Sequence, residues 1–217
     1  MAKKRAKKKP VARKKPMKKA RAVKKPVKMA LTAVKKAKGP VNFISGMTYP
    51  WGRAKGLLNI FWALIPILGW LALMGYGKKI IQELVKGNTN SLPVFGGFWE
   101  NLEKGFWVFV LLIPLYVVVT VLGWIPLLGR LIVPVIAIFF IPYLVINFMV
   151  KGQFAATLEI KKAASEVFKN LGEYVVAFLK TIAFGIVYGL LCFVLIGIPC
   201  LSFGQYFYLA DFYRKHS

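Results

Sequence analysis

Four long stretches without a charged residue constrain the fold of this chain more than any other feature of its sequence. They cover residues 57–76, 105–129, 131–150 and 181–210. Each reaches or exceeds the roughly 20 residues that an α-helix needs to cross the hydrocarbon core of a bilayer. A soluble protein would have to bury all four stretches, and this chain has too few polar residues to cover such a core. The stretches therefore predict an all-α fold, a polytopic transmembrane helix bundle.

The positive charge of the chain is concentrated at its N-terminus. Of its 32 Lys and Arg residues, 18 precede residue 39, and the first acidic residue is Glu83. Residues 1–40 consist mainly of Lys, Arg, Ala, Pro and Val, and they offer too little apolar surface to offset the entropy lost on folding. We therefore expect two regions. Residues 1–40 form a disordered Lys/Ala/Pro-rich basic arm, and residues 51–215 form a transmembrane helical domain.

The distribution of the remaining charges predicts how the apolar stretches are arranged. Short segments containing Gly and Pro interrupt them at residues 65–70, 124–130 and 196–200. If all three segments are turns at the far face of the membrane, the basic loops 78–104 and 151–169 share the cytoplasmic side with the arm, as the positive-inside rule requires. We therefore expect three helical hairpins, six membrane segments in all, with both termini cytoplasmic. The alternative is four or five spans with a re-entrant first segment.

Residues 153–172 have the pattern of an amphipathic helix. Phe154, Leu158 and Val167 fall on one side, whereas Lys162, Glu166 and Lys169 form a charged ladder at three- and four-residue steps. The pattern predicts a helix over residues 153–172 with one apolar and one charged side.

Several short motifs of the body resemble a known family. An apolar stretch ends at Gly75-Tyr76 and is followed by a basic amphipathic helix over residues 78–86 and by Gly87. Leu92-Pro93 and Phe98-Trp99 precede Leu102 and Gly105, then come two paired central spans and a final block from Gly197 to the aromatic-rich tail. In these features the body, over about residues 52–213, resembles the uncharacterised prokaryotic integral-membrane family called domain of unknown function 4013. The resemblance implies the architecture and no activity, and it leaves out the histone-tail-like arm.

The sequence offers no pattern of catalytic residues. Its single histidine, His216, lies at the C-terminus, and no glycine-rich loop ends in a Gly-Lys-Ser or Gly-Lys-Thr phosphate-binding motif. Cys192 and Cys200 lie in the last apolar stretch, where they read as small apolar packing residues. We therefore expect a protein that is not an enzyme, without a catalytic, metal or cofactor site and without an identified small-molecule substrate.

Polar residues within the apolar stretches are candidates for function because burying them in lipid is costly. Lys180, Gln205 and Asp211 form the candidate intramembrane polar site. The simpler interpretation is structural: Lys180 extends to the interface, and Asp211 forms an ion pair at a helix end. Gln205, Asn147 and Asn59 would likewise form hydrogen bonds between helices.

The basic arm is the strongest functional signal. Its lysines and arginines attract anionic lipid headgroups and nucleic-acid phosphates by the same electrostatic physics. No aromatic residue interleaves the charges, so recognition would be independent of sequence. One function class is a membrane anchor or scaffold whose arm binds anionic lipid or nucleic acid; the alternative is a small transporter or channel, and self-association stays open in both. The residues assigned to polyanion binding are Lys3, Lys4, Arg5, Lys7, Lys8, Lys9, Arg13, Lys14, Lys15, Lys18, Lys19, Arg21, Lys24 and Lys25.

Overall fold

The protein is all-α in the part that the structure describes. The structure is a computed structural model, and it describes residues 41–126 and 128–217. No strand occurs in these residues, which confirms the predicted fold class. The α-helices are α1 (Phe43–Thr48), α2 (Ala54–Leu57), α3 (Leu68–Val85), α4 (Phe98–Gly123), α5 (Leu128–Phe139), α6 (Ile141–Lys151), α7 (Ile160–Lys169), α8 (Leu171–Leu190), α9 (Gly197–Gly204) and α10 (Phe207–His216). Short 3₁₀ helices cover Tyr49–Arg53, Leu58–Leu64, Phe154–Leu158 and Leu191–Val194.

Three chain reversals lie where the sequence predicts far-side turns. The first, at residues 65–67, joins the 3₁₀ helix Leu58–Leu64 to α3, and the second follows α4 at residues 124–126. The third, at residues 195–196, precedes α9. Ile67 and Leu195 both adopt a φ of 62°, a left-handed conformation that is strained for residues with large side chains. The reversals divide the body into three helical hairpins.

Among the described residues, fewer helices than the six predicted segments are long and apolar enough to cross a bilayer by themselves. Two helical stretches of the described chain, Phe98–Gly123 and Leu171–Val194, are long and apolar enough to cross a bilayer by themselves. Val133–Phe139 and Ile141–Lys151, which meet at 48°, provide a third if they count as one broken span. By length and composition the described residues therefore supply two or three spans, and the predicted six segments, like the alternative of four or five spans, exceed this number.

The remaining helical segments do not qualify as single membrane spans, for two physical reasons. The 3₁₀ helix Leu58–Leu64 rises only about 14 Å, at about 2.0 Å per residue. In the third hairpin, α9 has 8 residues before the chain breaks again ahead of α10. Helix α3 has 18 residues but carries Lys78, Lys79 and Glu83. A leg that is interrupted or charged does not meet the requirement for a single span.

The two long helices present most of their surface outward. Among the 18 consecutive residues that are most apolar in each helix, 17% are buried inside the protein. Val117 and Val121 of α4 and Ile186 and Leu190 of α8 are more than half exposed. Apolar side chains around much of a helix are stable in lipid, whereas in water they would favour aggregation. These surfaces are those of helices that face hydrocarbon.

Helices α3 and α4 cross with their backbones in contact at two glycines. A Cβ atom on Gly75 would lie 2.9 Å from the amide nitrogen of Gly105, and one on Gly105 would lie 2.8 Å from the amide nitrogen of Gly75. The same atoms would overlap the carbonyl oxygens of Asn101 and Leu71, respectively. Small residues let membrane helices approach until van der Waals packing holds them together. This crossing joins the first hairpin to the second.

The bend between α5 and α6 is stabilised by the third hairpin. Pro142 lacks the amide hydrogen that would bond to the carbonyl of Ile138 in a continuous helix. The hydroxyl of Tyr174, at the start of α8, donates a hydrogen bond to that carbonyl. A carbonyl left unpaired in an apolar environment is costly, so this tyrosine replaces the bond that the proline removes.

The first described residues are fastened to the third hairpin by hydroxyl groups. Tyr208 of α10 donates a hydrogen bond to the carbonyl of Phe43 over 2.6 Å, and Tyr188 of α8 donates one to the carbonyl of Met47 over 2.5 Å. The indole nitrogen of Trp51 donates to the Tyr188 hydroxyl over 2.9 Å. These bonds hold the irregular segment before α2 against the bundle.

The glycine crossing makes a direct prediction. The variant Gly105→Ala places a methyl group against the backbone of α3. We expect the free energy of unfolding to fall by about 2 kcal/mol or more, because backbone atoms cannot move aside as a flexible side chain can. Gly77→Ala on α3 is the matched control, because a Cβ there meets nothing within 4 Å. Thermal unfolding of both purified variants in the same detergent measures the difference. Equal stability of Gly105→Ala and the unmodified protein would contradict the observed crossing.

Candidate functional site at the charged end of the bundle

Charged side chains gather at the end of the bundle where α3 ends and α4 begins. A Cβ on Gly96, in the loop before α4, would lie 3.5 Å from both Lys79 Nζ and a carboxylate oxygen of Glu100. A Cβ on Gly152, after α6, would lie 3.6 Å from Lys78 Nζ. The loops after α3 and after α6 are therefore at the same end. Their shared position agrees with the grouping of basic loops that the sequence predicts.

A hydrogen-bond network centred on Asn147 is the most completely buried polar feature of this end. Asn147 has no exposed surface; its Nδ2 donates to the carbonyl of Ala156 over 2.8 Å and to Glu159 over 3.2 Å. The hydroxyl of Tyr213 donates to Asn147 Oδ1 over 2.8 Å. The network ties α6 to the following loop and to α10. It confirms the predicted interhelical role of Asn147.

Lys151 completes this network. Its ammonium lies 2.6 Å from both carboxylate oxygens of Glu159. The hydrogen bond from Lys151 holds the pKa of the Glu159 carboxyl below its ordinary value, and the bond from Asn147 acts in the same direction. The stabilisation from this pair is therefore present above the unfolded-state pKa near 4.5 and is lost as the pH falls through the lower folded-state value. Because both side chains are about one third exposed, solvent screening keeps the contribution small.

Asp211 forms the predicted ion pairs at the end of α10. This residue is 7% exposed, and its carboxylate contacts Arg214 and lies 3.1 Å from Lys215 Nζ. His216 Nε2 lies 3.2 Å from Glu173 at the start of α8. A buried carboxylate paired in this way is a structural element that orients the C-terminal turn.

Two of the three residues of the candidate intramembrane site line one cavity. Lys180 and Asp211 border a cavity of about 230 Å³ between α8 and α10, together with Glu173, Lys215 and Val41. Lys180 lies nine residues into α8, about 14 Å along the helix axis, within the stretch long enough to cross a bilayer. In the described chain no carboxylate lies within ion-pair distance of its ammonium.

Gln205 is separate from that pair. It borders a larger cavity of about 620 Å³ between α3, α4, α6 and α9, whose walls are mainly apolar. The amide of Asn59 bonds locally to the carbonyl of Gly56 over 2.8 Å, and its side chain also forms a hydrogen bond with Tyr76 of α3, as expected for a bond between helices. Lys180, Gln205 and Asp211 therefore do not line one cavity, and a functional role for them stays a prediction.

The remaining sequence-based assignments are placed as follows. The polyanion-binding residues of the arm, from Lys3 to Lys25, lie outside the described residues. Cys200 is buried, Cys192 is partly exposed, and both have free thiols. No cluster of His, Cys, Asp and Glu that would hold a metal ion occurs among residues 41–126 and 128–217.

Sequence reasoning missed most of the Asn147 network. Glu159 and Lys151 are eight residues apart, and Tyr213 is 66 residues from Asn147, so no local spacing connects them. The one available signal was a charged residue directly before the Gly that ends an apolar helix, at Lys151-Gly152.

The network predicts a stability effect with an internal control. Tyr213→Phe leaves the buried Oδ1 of Asn147 without its donor, which we expect to cost about 1–3 kcal/mol. Tyr116→Phe removes a hydroxyl from an exposed side chain of α4 and should change stability little. Thermal unfolding in detergent distinguishes them; two equal melting temperatures would show that the Tyr213 bond contributes nothing.

Comparison with known proteins gives one match. The family described as protein of unknown function (DUF4013) matches residues 58–197, from the first hairpin to the start of α9. The match covers more than half of the chain, and it stops before most of the C-terminal block in which the sequence also shows resemblance. No curated protein and no solved structure is significantly similar to this chain. The chain therefore belongs to the DUF4013 family.

Proposed function

We propose that this protein is a non-enzymatic membrane anchor or scaffold whose basic arm binds anionic lipid headgroups or nucleic acid by charge alone. The observation that carries the proposal is the position of Val41, the first described residue, beside Glu173 and Lys215 at the charged end of the bundle. The segment preceding it, with 18 basic and no acidic residues before position 39, is thus joined to the body at that end. The arm and the basic loops then share one side of the membrane.

The charge of the arm is sufficient for binding to a polyanion. Near an anionic leaflet each Lys or Arg contributes about 1 kcal/mol, and on duplex DNA each neutralised phosphate adds about 0.9 to the slope of log affinity against log salt. The arm has no aromatic residue to stack on bases. These properties favour binding that is strong at low salt and indifferent to sequence.

The positive-inside rule places this end in the cytoplasm, so both termini are cytoplasmic in the proposal. His216 and Glu173 bring the C-terminal turn to the same end as Val41. The prokaryotic family that the chain resembles favours a plasma membrane.

A small transporter or channel is the second candidate function. The cavity of about 620 Å³ within the bundle, which Gln205 borders, is the observation in its favour. Flux of ions or small solutes into proteoliposomes containing the purified protein discriminates it from an anchor, which produces none.

The orientation is tested with single cysteines. In a protein whose Cys192 and Cys200 are replaced by Ala, cysteines at exposed Asn88 and Lys161 should react with an impermeant maleimide from the cytoplasmic side. A cysteine at Trp124, 80% exposed in the second reversal, should react from the opposite side. Labelling of Asn88→Cys and Trp124→Cys from the same side would refute this orientation.

The arm is tested by its salt dependence. For the full-length protein in neutral detergent, log affinity for duplex DNA should fall linearly with log salt for unrelated sequences. Removing three charges with Lys14→Gln, Lys15→Gln and Lys18→Gln should reduce the slope by roughly one to three, at about 0.9 per phosphate contact. Vesicles with and without anionic lipid, used as competitors, show which polyanion binds at physiological ionic strength.

A matched control removes the same charge from the body. Lys161, Lys162 and Lys169 lie on α7 at the same end of the bundle. The triple Gln variant of these residues should leave the slope unchanged. If both triple variants reduce it equally, the whole charged end binds and the arm is not the specific element; a strong preference for one DNA sequence would also contradict the proposal.

A further inference from the structure

The larger cavity has the shape and lining of a site for one hydrocarbon chain. Its volume of about 620 Å³ lies within the roughly 300–1,000 Å³ typical of ligand pockets. The walls include Trp70, Met74, Leu112, Val119, Val145 and Phe203, from four helices. Polar groups are few: Tyr116, Ser202, Gln205 and Tyr206. Ser202 donates its hydroxyl to the carbonyl of Ile198 over 2.9 Å, so it is satisfied within its own helix.

The length of the cavity matches one leaflet of a bilayer. On α3 its lining extends from Trp70 to Ile81, about 16 Å at 1.5 Å per residue. The hydrocarbon core of a bilayer is about 30 Å thick, so this length corresponds to about half of it. In a membrane the medium available to fill such a space is the acyl chain of a lipid, which packs against apolar walls by dispersion. Water is a poor occupant because it needs two to four polar partners, about three on average.

A lysine marks the charged end of this cavity. The ammonium of Lys78 reaches the residue that follows α6, because a Cβ on Gly152 would lie 3.6 Å from it. Gly152 is one turn beyond Met149, the last residue of α6 that lines the cavity. Lys78 is partly buried, and among the described residues no carboxylate lies within ion-pair distance of its Nζ. Lys104, on the facing helix α4, acts on it with a charge of the same sign.

Lys78 has no carboxylate partner among the described residues, and a second lysine, Lys104, acts on it with the same charge, so an anion is favoured at this position. A partly desolvated cation gains more from a charged partner than an exposed one does. The apolar cavity and the positive charge at its end are arranged as the tail and the phosphate of a phospholipid are. Lys104 already bonds Glu100 over 2.6 Å, which leaves Lys78 as the main contact for an added anion.

We propose that the body binds one anionic phospholipid of the surrounding bilayer, with an acyl chain between α3, α4, α6 and α9 and its phosphate against Lys78. This site is distinct from the arm and goes beyond the proposed anchoring function. It takes a lipid laterally from the membrane and requires no covalent step.

Gly77 allows the cavity to be filled with little disturbance to the fold. It lines the cavity, and a Cβ added there meets nothing within 4 Å. Gly77→Leu therefore projects a side chain into the space assigned to the lipid. Gly185→Leu is the matched control: Gly185 is also a helical glycine with open space around it, and it lies on α8 away from the cavity.

The experiment uses the full-length protein in detergent, incubated with equimolar phosphatidylglycerol and phosphatidylcholine with identical chains. A wash at about 1 M salt, where the Debye length is about 3 Å, removes lipid held only by the charges of the arm. Mass spectrometry then counts the retained lipids. The unmodified protein and Gly185→Leu should retain phosphatidylglycerol in preference, whereas Gly77→Leu should retain about tenfold less, equivalent to about 1.4 kcal/mol.

The lysine is tested in the same assay. Lys78→Gln should abolish the preference for phosphatidylglycerol over phosphatidylcholine, and Lys161→Gln, on the exposed side of α7, should keep it. Retention by Gly77→Leu equal to that of the unmodified protein, or equal retention of both lipids by the unmodified protein, would overturn the proposal. Neither result bears on the salt-sensitive binding of the arm, so the two proposals fail separately.

A second measurement does not depend on the folding of Gly77→Leu. Phosphatidylglycerol with brominated acyl chains quenches the fluorescence of tryptophans it touches. After the high-salt wash, the quenching of the unmodified protein should be lost in Trp70→Phe, since Trp70 lines the cavity. It should persist in Trp124→Phe, whose tryptophan is in the second reversal. Equal quenching in both variants would place the lipid elsewhere.

Discussion

The backbone contact between Gly75 and Gly105 is the constraint on which the arrangement of the bundle depends. A methyl group on either residue would overlap a carbonyl oxygen of the opposite helix. Lipid tails are as apolar as leucine, so burial of apolar surface does not by itself drive membrane helices together. Close packing at small residues does, and α3 and α4 make their most extensive helix contact around this crossing. The same two helices form two walls of the cavity that they share with α6 and α9.

The second constraint is that broken helices must find partners for their backbone groups. Where Pro142 removes a donor, Tyr174 supplies a hydroxyl to Ile138. At another irregular segment, Tyr76 donates to the carbonyl of Pro93 over 2.9 Å. A tyrosine suits this role because its ring packs in an apolar core while its hydroxyl satisfies a carbonyl. The interruptions that shorten the helices are tolerated because tyrosine hydroxyls from neighbouring helices bond to the carbonyls that the breaks leave unpaired.

Sequence patterns predicted the features that depend on local composition. They failed for the features that depend on contacts between residues far apart in the chain. Uncharged stretches and Gly/Pro segments located the helices and the three reversals, because lipid solvation and backbone sterics act locally. The lengths of the individual helices were not predicted, since hydropathy does not show that the chain leaves an α-helix at Leu58–Leu64. Residues 153–172 were expected to form one amphipathic helix, but the helix is interrupted at Glu159, whose carboxylate binds Lys151 and Asn147. Leu158, which the sequence placed on the apolar side of that helix, is 60% exposed. Gln205 was grouped with Lys180 and Asp211 on polarity alone, and helix packing places it in another cavity.

The hydroxyl bonds that fasten the first described residues also determine how the body would bear a mechanical load. If the arm is attached to a large polymer or a moving surface, tension passes along the chain and enters the body at Val41. The first bond in its path is that from Tyr208 to Phe43, followed by those of Tyr188 to Met47 and to Trp51. These bonds lead to α8 and α10, so the pulling force reaches the third hairpin before the crossing of α3 and α4. Under such a load the segment before α2 would therefore detach first, while the helices that face lipid keep their packing.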